Sequence, residues 1–307
     1  MSFLPAIPEP LVMLARNPFL TDLSSDGPIP YVMRQKLTKA PPIPSAGDIT
    51  GRTVLITGAT GGVGLSAARQ FLELGAVLIL GVRSLTRGGV VKNQLSKDVP
   101  GCSVTVLLLD LASFESVEHF AKNLRVLLAG NGLDIAIMNA AFLSKDRHTT
   151  VDGHEMLLQV NFLSTAYLSH LLAPLLKQGA RSGRLVVVSS EAHAWVTYSP
   201  PEGINIVEAL DAETTKFADR YNLSKMLVTL WTEAFANSVE SSELEVAITT
   251  PGFCDSDLFR DSKGALLKLI NLTSARPVSY GGRTHLHAAT VPLAVNGQYF
   301  RDGKATP

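Results

Sequence analysis

No charge of either sign dominates this chain. Twenty-seven Lys and Arg stand against 27 Asp and Glu, the formal net charge is zero and the pI is about 7.1. The missing basic excess argues against a nucleic-acid partner, and no run of like charge marks an acidic tail. Cysteine is nearly absent: Cys102 and Cys254 make neither a disulfide framework nor a metal cluster, and they fit a reducing compartment. No metal site is expected. The N-terminus has no basic stretch followed by a long apolar run, so no secretory signal is read there. The longest apolar runs, AVLILGV at 76–82 and VTVLLLDLA at 104–112, are too short to cross a bilayer and read as buried strands. These absences lead to the expectation of a cytoplasmic protein with no transmembrane segment.

What is present is material for a core. Hydrophobic residues make up 46% of the 307 positions and charged residues 18%, enough to exclude a disordered chain. Residues 1–50 differ from the rest. They are rich in proline (LPAIPEP, GPIP, APPIP) and lack clear periodicity, so they read as an irregular extension that packs on the main domain or on a partner. Within them PLVMLARNPFL has the pattern of a short amphipathic helix. Residues 51–307 form the expected domain. Apolar runs recur at 53–57, 76–80, 103–109, 133–139, 184–190, 244–250 and 297–300, with helical stretches between most of them. Strands that are apolar along their length and alternate with helices predict an α/β fold. The expected architecture is a single Rossmann-type doubly wound parallel sheet of about seven strands, with helices on both faces.

TGATGGVG at 57–64 lies between the first strand and the first helix. Glycines there let the backbone turn tightly and approach a pyrophosphate, and the helix N-terminus behind them offers free N–H groups. The spacing is GxxxGxG through Gly58, Gly62 and Gly64, and also GxxGxxG through Gly58, Gly61 and Gly64. Nucleotide binding is the expectation, with Thr60 and Val63 in the same turn. An acidic residue about 20 positions on would suit the ribose 2′-hydroxyl of NAD. Arg83 and Ser84 stand there instead. A guanidinium and a hydroxyl suit a 2′-phosphate, so NADP(H) is favoured.

The order of motifs is the most specific signal. A glycine loop is followed by Asp110–Leu111, then NAA at 139–141, VSS at 188–190, and YNLSK from Tyr221 to Lys225. This order resembles the short-chain dehydrogenase/reductase family over about 51–307. VDGHEMLLQVNFLS at 151–164 and GQYF at 297–300 resemble its retinol-dehydrogenase-like branch, also found among fungal secondary-metabolism reductases. The resemblance implies that Asp110 and Leu111 flank the adenine and that Asn139 and Ala140 line the cofactor. It implies Asn161, Ser190, Tyr221 and Lys225 as the catalytic set. It assigns Pro251, Gly252 and Ser256 of PGFCDS to the cofactor loop. It also implies subunit pairing through helices at about 113–129 and 152–178, hence a homodimer.

Two departures stand out. Met138–Asn139 replaces the usual Asn pair, and the interval from Ser190 to Tyr221 is far longer than in compact members. That insert carries His193, Trp195, Tyr198 and Pro200–Pro201. His193 is read as pocket-lining or structural, Trp195 as touching substrate, and Cys254 and Trp231 as packing. Little chain follows Lys225, which favours the single-domain branch over the extended one.

Tyr221 and Lys225 are one helical turn apart and share a face. A free phenol has a pKa of about 10. A nearby ammonium and the positive nicotinamide of an oxidised cofactor are expected to lower it, so that Tyr221 exchanges a proton near neutral pH. Ser190 would hold the substrate oxygen, Lys225 the nicotinamide ribose, and Asn161 a water for proton refill. The function implied is NADP(H)-dependent interconversion of a ketone or aldehyde with an alcohol on a small apolar molecule, such as a polyketide, terpenoid, steroid or retinoid. Two alternatives keep the fold: non-redox isomerisation or dehydration, and a cofactor-sensing interaction protein.

Overall fold

The structure is a computed structural model, and it describes residues 31, 34, 35, 37–179, 182–196, 206–211, 217–256 and 275–306. The amphipathic stretch at 10–20 and Tyr198, Pro200 and Pro201 of the insert lie outside the described residues.

The apolar runs form strands where the sequence places them. These are β1 (Thr53–Thr57), β2 (Val77–Val82), β3 (Ser103–Leu108), β4 (Ile135–Met138), β5 (Gly183–Val188), β6 (Leu244–Thr250) and β7 (Gln298–Arg301). An eighth strand, β8 (Lys304–Thr306), extends the expected seven. The sheet order is β3-β2-β1-β4-β5-β6-β7-β8. All neighbours pair in parallel except β7 and β8. The last pair is a hairpin. Arg301 faces Lys304 across Asp302 and Gly303, whose φ angles of 54° and 71° are the left-handed values that an Asp-Gly two-residue turn takes.

Side chains on a strand alternate between faces, and here both faces are buried. Leu55, Ala136, Met138, Leu185 and Val187 enter one core; Val54, Ile56, Ile135, Ile137, Val186 and Val188 enter the other. Helices α1 (Gly62–Glu73), α2 (Leu85–Asp98) and α7 (Val278–Thr290) supply Phe71, Leu95 and Leu286 to the second core. Helices α3 (Phe114–Leu128), α4 (Ser164–Leu176) and α6 (Phe217–Asn237) supply Phe120, Leu172 and Leu227 to the first. A shorter α5 (Ile206–Asp211) lies within the insert.

The expected single helix over 152–178 is broken into pieces. A helical turn at Met156–Leu158 leads into a π-helical turn, Gln159–Leu163, before α4 begins. One extra residue in a turn rotates the side chains that follow it, and such turns occur often at functional sites. Here the widened turn contains Asn161.

The chain reverses direction across the sheet between β1 and β4, the two neighbours at its centre. In open α/β sheets this switch point, at the carboxyl ends of the strands, is where ligands bind. The candidate residues converge there. Among the described residues, no helix is long and apolar enough to cross a membrane.

Candidate active site

The glycine turn leaves the end of β1 and is held from below by Asn139, the residue after β4. The Asn139 amide nitrogen donates to the carbonyls of Thr57 (2.9 Å) and Gly58 (3.3 Å). The Ala140 N–H donates to the Thr57 hydroxyl at 3.0 Å. The approach is so close that side chains are excluded. A Cβ on Gly58, whose φ is 69°, would meet the Ala140 Cα at 2.8 Å, and one on Gly64 would meet the Asn139 amide nitrogen at 2.5 Å. Gly61 caps α1 and has no side chain to offer its first turn. The N–H groups beyond Thr60, through Gly62 and Val63, are therefore available to an anion.

Arg83 is exposed at the end of β2. Ser84 is the N-cap of α2, its hydroxyl accepting from the Arg87 N–H at 3.3 Å. Asp110 follows β3. One of its carboxylate oxygens accepts from the Ala112 N–H at 2.9 Å, while Leu111 is buried in the core.

Ser190 ends β5 and opens a 3₁₀ turn, Glu191–Trp195, with its hydroxyl accepting from the Ala192 N–H at 3.2 Å. The Tyr221 phenol from α6 lies near enough to the Ser190 hydroxyl to be influenced by it. One turn along α6, the Lys225 ammonium donates to the Val188 carbonyl at 3.0 Å. Asn161 completes the group. Its oxygen accepts from the Phe142 N–H at 2.7 Å, and its nitrogen donates to the Phe142 carbonyl at 3.0 Å and to the Ser224 hydroxyl at 3.1 Å. Pro251, Gly252 and Ser256 lie on the loop that leaves β6.

The sequence model for short chain dehydrogenases matches residues 52–199. Over 98% of its length the chain is 44% identical to the short chain dehydrogenase rstn4 of Aspergillus nomiae, covering 86% of that protein. Over 98% it is also 44% identical to the short chain dehydrogenase resG of Aspergillus sclerotiorum, covering 89% of it. The chain belongs to the short-chain dehydrogenase/reductase family. Among solved structures, an uncharacterized protein from Mycobacterium paratuberculosis has a TM-score of 0.63 at 28% identity, with 84% of each chain covered. A short chain dehydrogenase from Shigella flexneri complexed with NADP shares the fold at a TM-score of 0.60 and 20% identity, over 80% of this chain and 93% of that one.

In this dehydrogenase the electrostatics of the Tyr221 pocket differ from the simple expectation. Burial pushes the phenol above its ordinary pKa, and the nearby Ser190 hydroxyl only tempers this. The Lys225 ammonium does not offset it, because it is drawn to the Val188 carbonyl. Burial lowers Lys225 itself to about 8. The protein's own groups therefore keep Tyr221 protonated, as a proton donor must be.

The roles expected around the pocket sort by burial. His193 is buried behind Ser190, with Nδ1 donating to the Ser190 carbonyl at 2.6 Å, and burial pushes its pKa down. It is built into the turn as a neutral ring. Cys254 is buried with its thiol pushed up to about 12, which leaves no thiolate for chemistry. Trp231 stacks on Phe235 at 5.0 Å within the core. Trp195 sits edge-on to Tyr31 at 6.0 Å, and its carbonyl accepts from the Asn222 amide.

Four residues that sequence reading did not single out help build the site. Glu191 is buried beside Ser190, where burial raises its carboxyl to about 7 despite Arg301. Gln35 and Arg276 hold the loop after β6. His285, on α7, reaches Asn139 Oδ1 at 3.0 Å through Nε2. The Asn139 nitrogen already donates to two carbonyls, so its oxygen must accept, and His285 must carry its proton on Nε2. None of these residues has a local sequence signal that sets it apart from its neighbours.

His285 carries a pH consequence. Burial, with the Lys225 charge nearby, depresses its pKa to about 3. A free histidine titrates near 6.5. Between these values the unfolded chain binds a proton that the folded chain refuses, so stability falls as pH drops below about 6.5. The expected loss from this group is ~1.4 kcal/mol per pH unit. Urea unfolding at pH 6.5 and pH 5 should show wild type losing about 2 kcal/mol more than His285→Gln, which has an N–H to offer but does not titrate. Equal losses in the two proteins would refute the assignment.

Proposed function

We propose that this protein is an NADP(H)-dependent oxidoreductase of secondary metabolism, interconverting a ketone or aldehyde and an alcohol on a small apolar molecule. The observation that carries this reading is the juxtaposition of Ser190 and Tyr221 at the carboxyl end of β5, with Lys225 one turn along α6 donating to the Val188 carbonyl. That pair offers a carbonyl oxygen two hydroxyls from one direction. The bound nicotinamide supplies or accepts the hydride.

The chain's own residues do the rest. Tyr221, kept protonated by burial, donates its proton to the substrate oxygen in reduction and takes it back in oxidation. Ser190, oriented by the Ala192 N–H, holds the same oxygen. Lys225 lies where it can leave the Val188 carbonyl for a ribose hydroxyl, and its lowered pKa makes it a ready partner in proton refill. Asn161 ties the loop after β4 to α6. Both its amide hydrogens are engaged, so it orders a water only through the remaining lone pair of Oδ1.

The cofactor fits the residues present. Gly58 to Gly64 form a turn that excludes side chains at the N-terminus of α1, as a pyrophosphate requires. Asp110, Leu111, Asn139 and Ala140 border the adenine and ribose path, and Pro251, Gly252 and Ser256 close the nicotinamide end. The Aspergillus relatives, similar over nearly the whole chain, support the assignment to secondary metabolism. NADP in the Shigella neighbour supports a nicotinamide cofactor.

The exposed guanidinium of Arg83 beside the α2 N-cap supports a 2′-phosphate contact. Arg83→Asp should shift the ratio of NADP to NAD affinity by on the order of tenfold or more toward NAD, the worth of one lost charge-assisted contact. Fluorescence titration with both cofactors measures it. Wild type that binds NAD as tightly as NADP would remove the argument. Substrate-dependent change in absorbance at 340 nm separates redox chemistry from isomerisation or dehydration.

A further inference from the structure

Gln35, which precedes β1, touches the loop after β6. Gln35 is buried. Its side-chain oxygen accepts from the Phe253 N–H at 2.8 Å, and its side-chain nitrogen donates to the Phe253 carbonyl at 3.3 Å. One amide side chain thus reads both polar groups of one backbone residue, as a neighbouring strand would. The fit leaves no slack. Gly252 has a φ of 70°, and a Cβ there would meet the Gln35 Oε1 at 2.6 Å.

Gln35 is itself held by Arg276. The Arg276 Nε donates to the Gln35 carbonyl at 2.8 Å, and its Nη2 donates to the same carbonyl and to the Thr38 hydroxyl. Its Nη1 pairs with Asp302 at 2.5 Å, and the guanidinium lies over the Tyr280 ring at 4.1 Å. The Arg276 backbone bonds Phe253 and Asp255, its N–H donating to the Phe253 carbonyl and its carbonyl accepting from the Asp255 N–H, each at 2.9 Å. The polar groups of Arg276 therefore bear on Gln35 and Thr38, on the loop, and on the β7–β8 turn.

We propose that Gln35 is a positioning residue for cofactor binding: it sets the loop Pro251–Ser256 through the backbone of Phe253, with Arg276 locking it in place. Gln35, which precedes β1, is then a working part of the cofactor site. This rests on the reading that the loop borders a nicotinamide cofactor. The physical reason is preorganisation. A loop leaving a strand end through a left-handed glycine has several backbone settings open to it, and ordering it on binding weakens affinity. Gln35 removes that cost in advance.

The test compares Gln35→Met, which keeps length and loses both hydrogen bonds, with Gln35→Glu, which keeps the acceptor for the Phe253 N–H beside Arg276. NADPH dissociation constants are read by protein fluorescence, with melting temperature and steady-state constants alongside. Gln35→Met should weaken NADPH about tenfold, the combined net worth of two ordinary hydrogen bonds. The KM for NADPH should rise in step, while kcat changes less than about twofold, because the loss is one of binding. Gln35→Glu should recover most of the affinity. A folded Gln35→Met that binds NADPH like wild type overturns the proposal, as does a loss of melting temperature with no change in affinity. Should Gln35→Met not fold, Gln35→Ala carries the same comparison. Wild type that binds neither NADPH nor NADH overturns the cofactor reading and this inference with it; wild-type binding with an unchanged variant overturns this inference alone.

Discussion

Tyr221→Phe is expected to lower turnover by about 10²–10⁴-fold, the usual loss when a general acid or base is removed. The substitution deletes one oxygen. The ring stays in place, and Ser190 keeps its bond from the Ala192 N–H, so the fold should be stable to within about 1 kcal/mol of wild type. NADPH should bind as before, since the glycine turn and Lys225 are untouched. Lys225→Met makes the contrast. It removes a buried ammonium whose pKa is lowered to about 8 and leaves the Val188 carbonyl without its donor. Both turnover and NADPH affinity should fall. Single-turnover kinetics and fluorescence titration separate the two patterns. Near-normal turnover in a folded Tyr221→Phe protein would show that the proton comes from elsewhere.

Asn161→Ala should be the most damaging single change to stability among the site residues, by about 3 kcal/mol or more. Three hydrogen bonds disappear together: the half-buried Phe142 N–H and carbonyl lose their side-chain partner, and the buried Ser224 hydroxyl, which still donates to the Tyr221 carbonyl, loses its donor. An orphaned buried group costs about 1–3 kcal/mol. Asn161→Asp should be intermediate, because it still accepts from the Phe142 N–H but places an oxygen against the Phe142 carbonyl. Denaturant unfolding of the three proteins gives the order. Wild-type stability in Asn161→Ala would mean that the loop after β4 is held by other contacts.

The sheet was legible because its signal is local. TVLIT and LEVAITT are apolar along their length, and β1 and β6 span those same residues. Tyr221, Lys225 and Ser190 were legible because a turn of helix and a serine at a strand end are short-range patterns. What escaped was short or long-range. β8 has three residues and no apolar repeat, and it exists because the Asp302–Gly303 turn folds it back on β7. The π-turn at Asn161 reads as ordinary helix, since one extra residue per turn changes no residue type. His285 and Asn139 are 146 positions apart, and Gln35 and Phe253 are 218 apart. Such pairs leave no mark on either stretch alone. The upward direction of the Tyr221 shift in the protein alone also escaped, because it is set first by burial, which no single stretch reveals.

The clasp between Gln35 and Arg276 also has a place in time. Its two halves lie 241 positions apart, and the turn that anchors Arg276 is near the end of the chain. At the usual pace of synthesis, about 5–20 residues per second, the ribosome takes roughly 10–50 s to reach Arg276 after making Gln35. Through that interval Gln35 is without the guanidinium that holds its carbonyl. The clasp is a contact that closes only after β1 to β6 have been made.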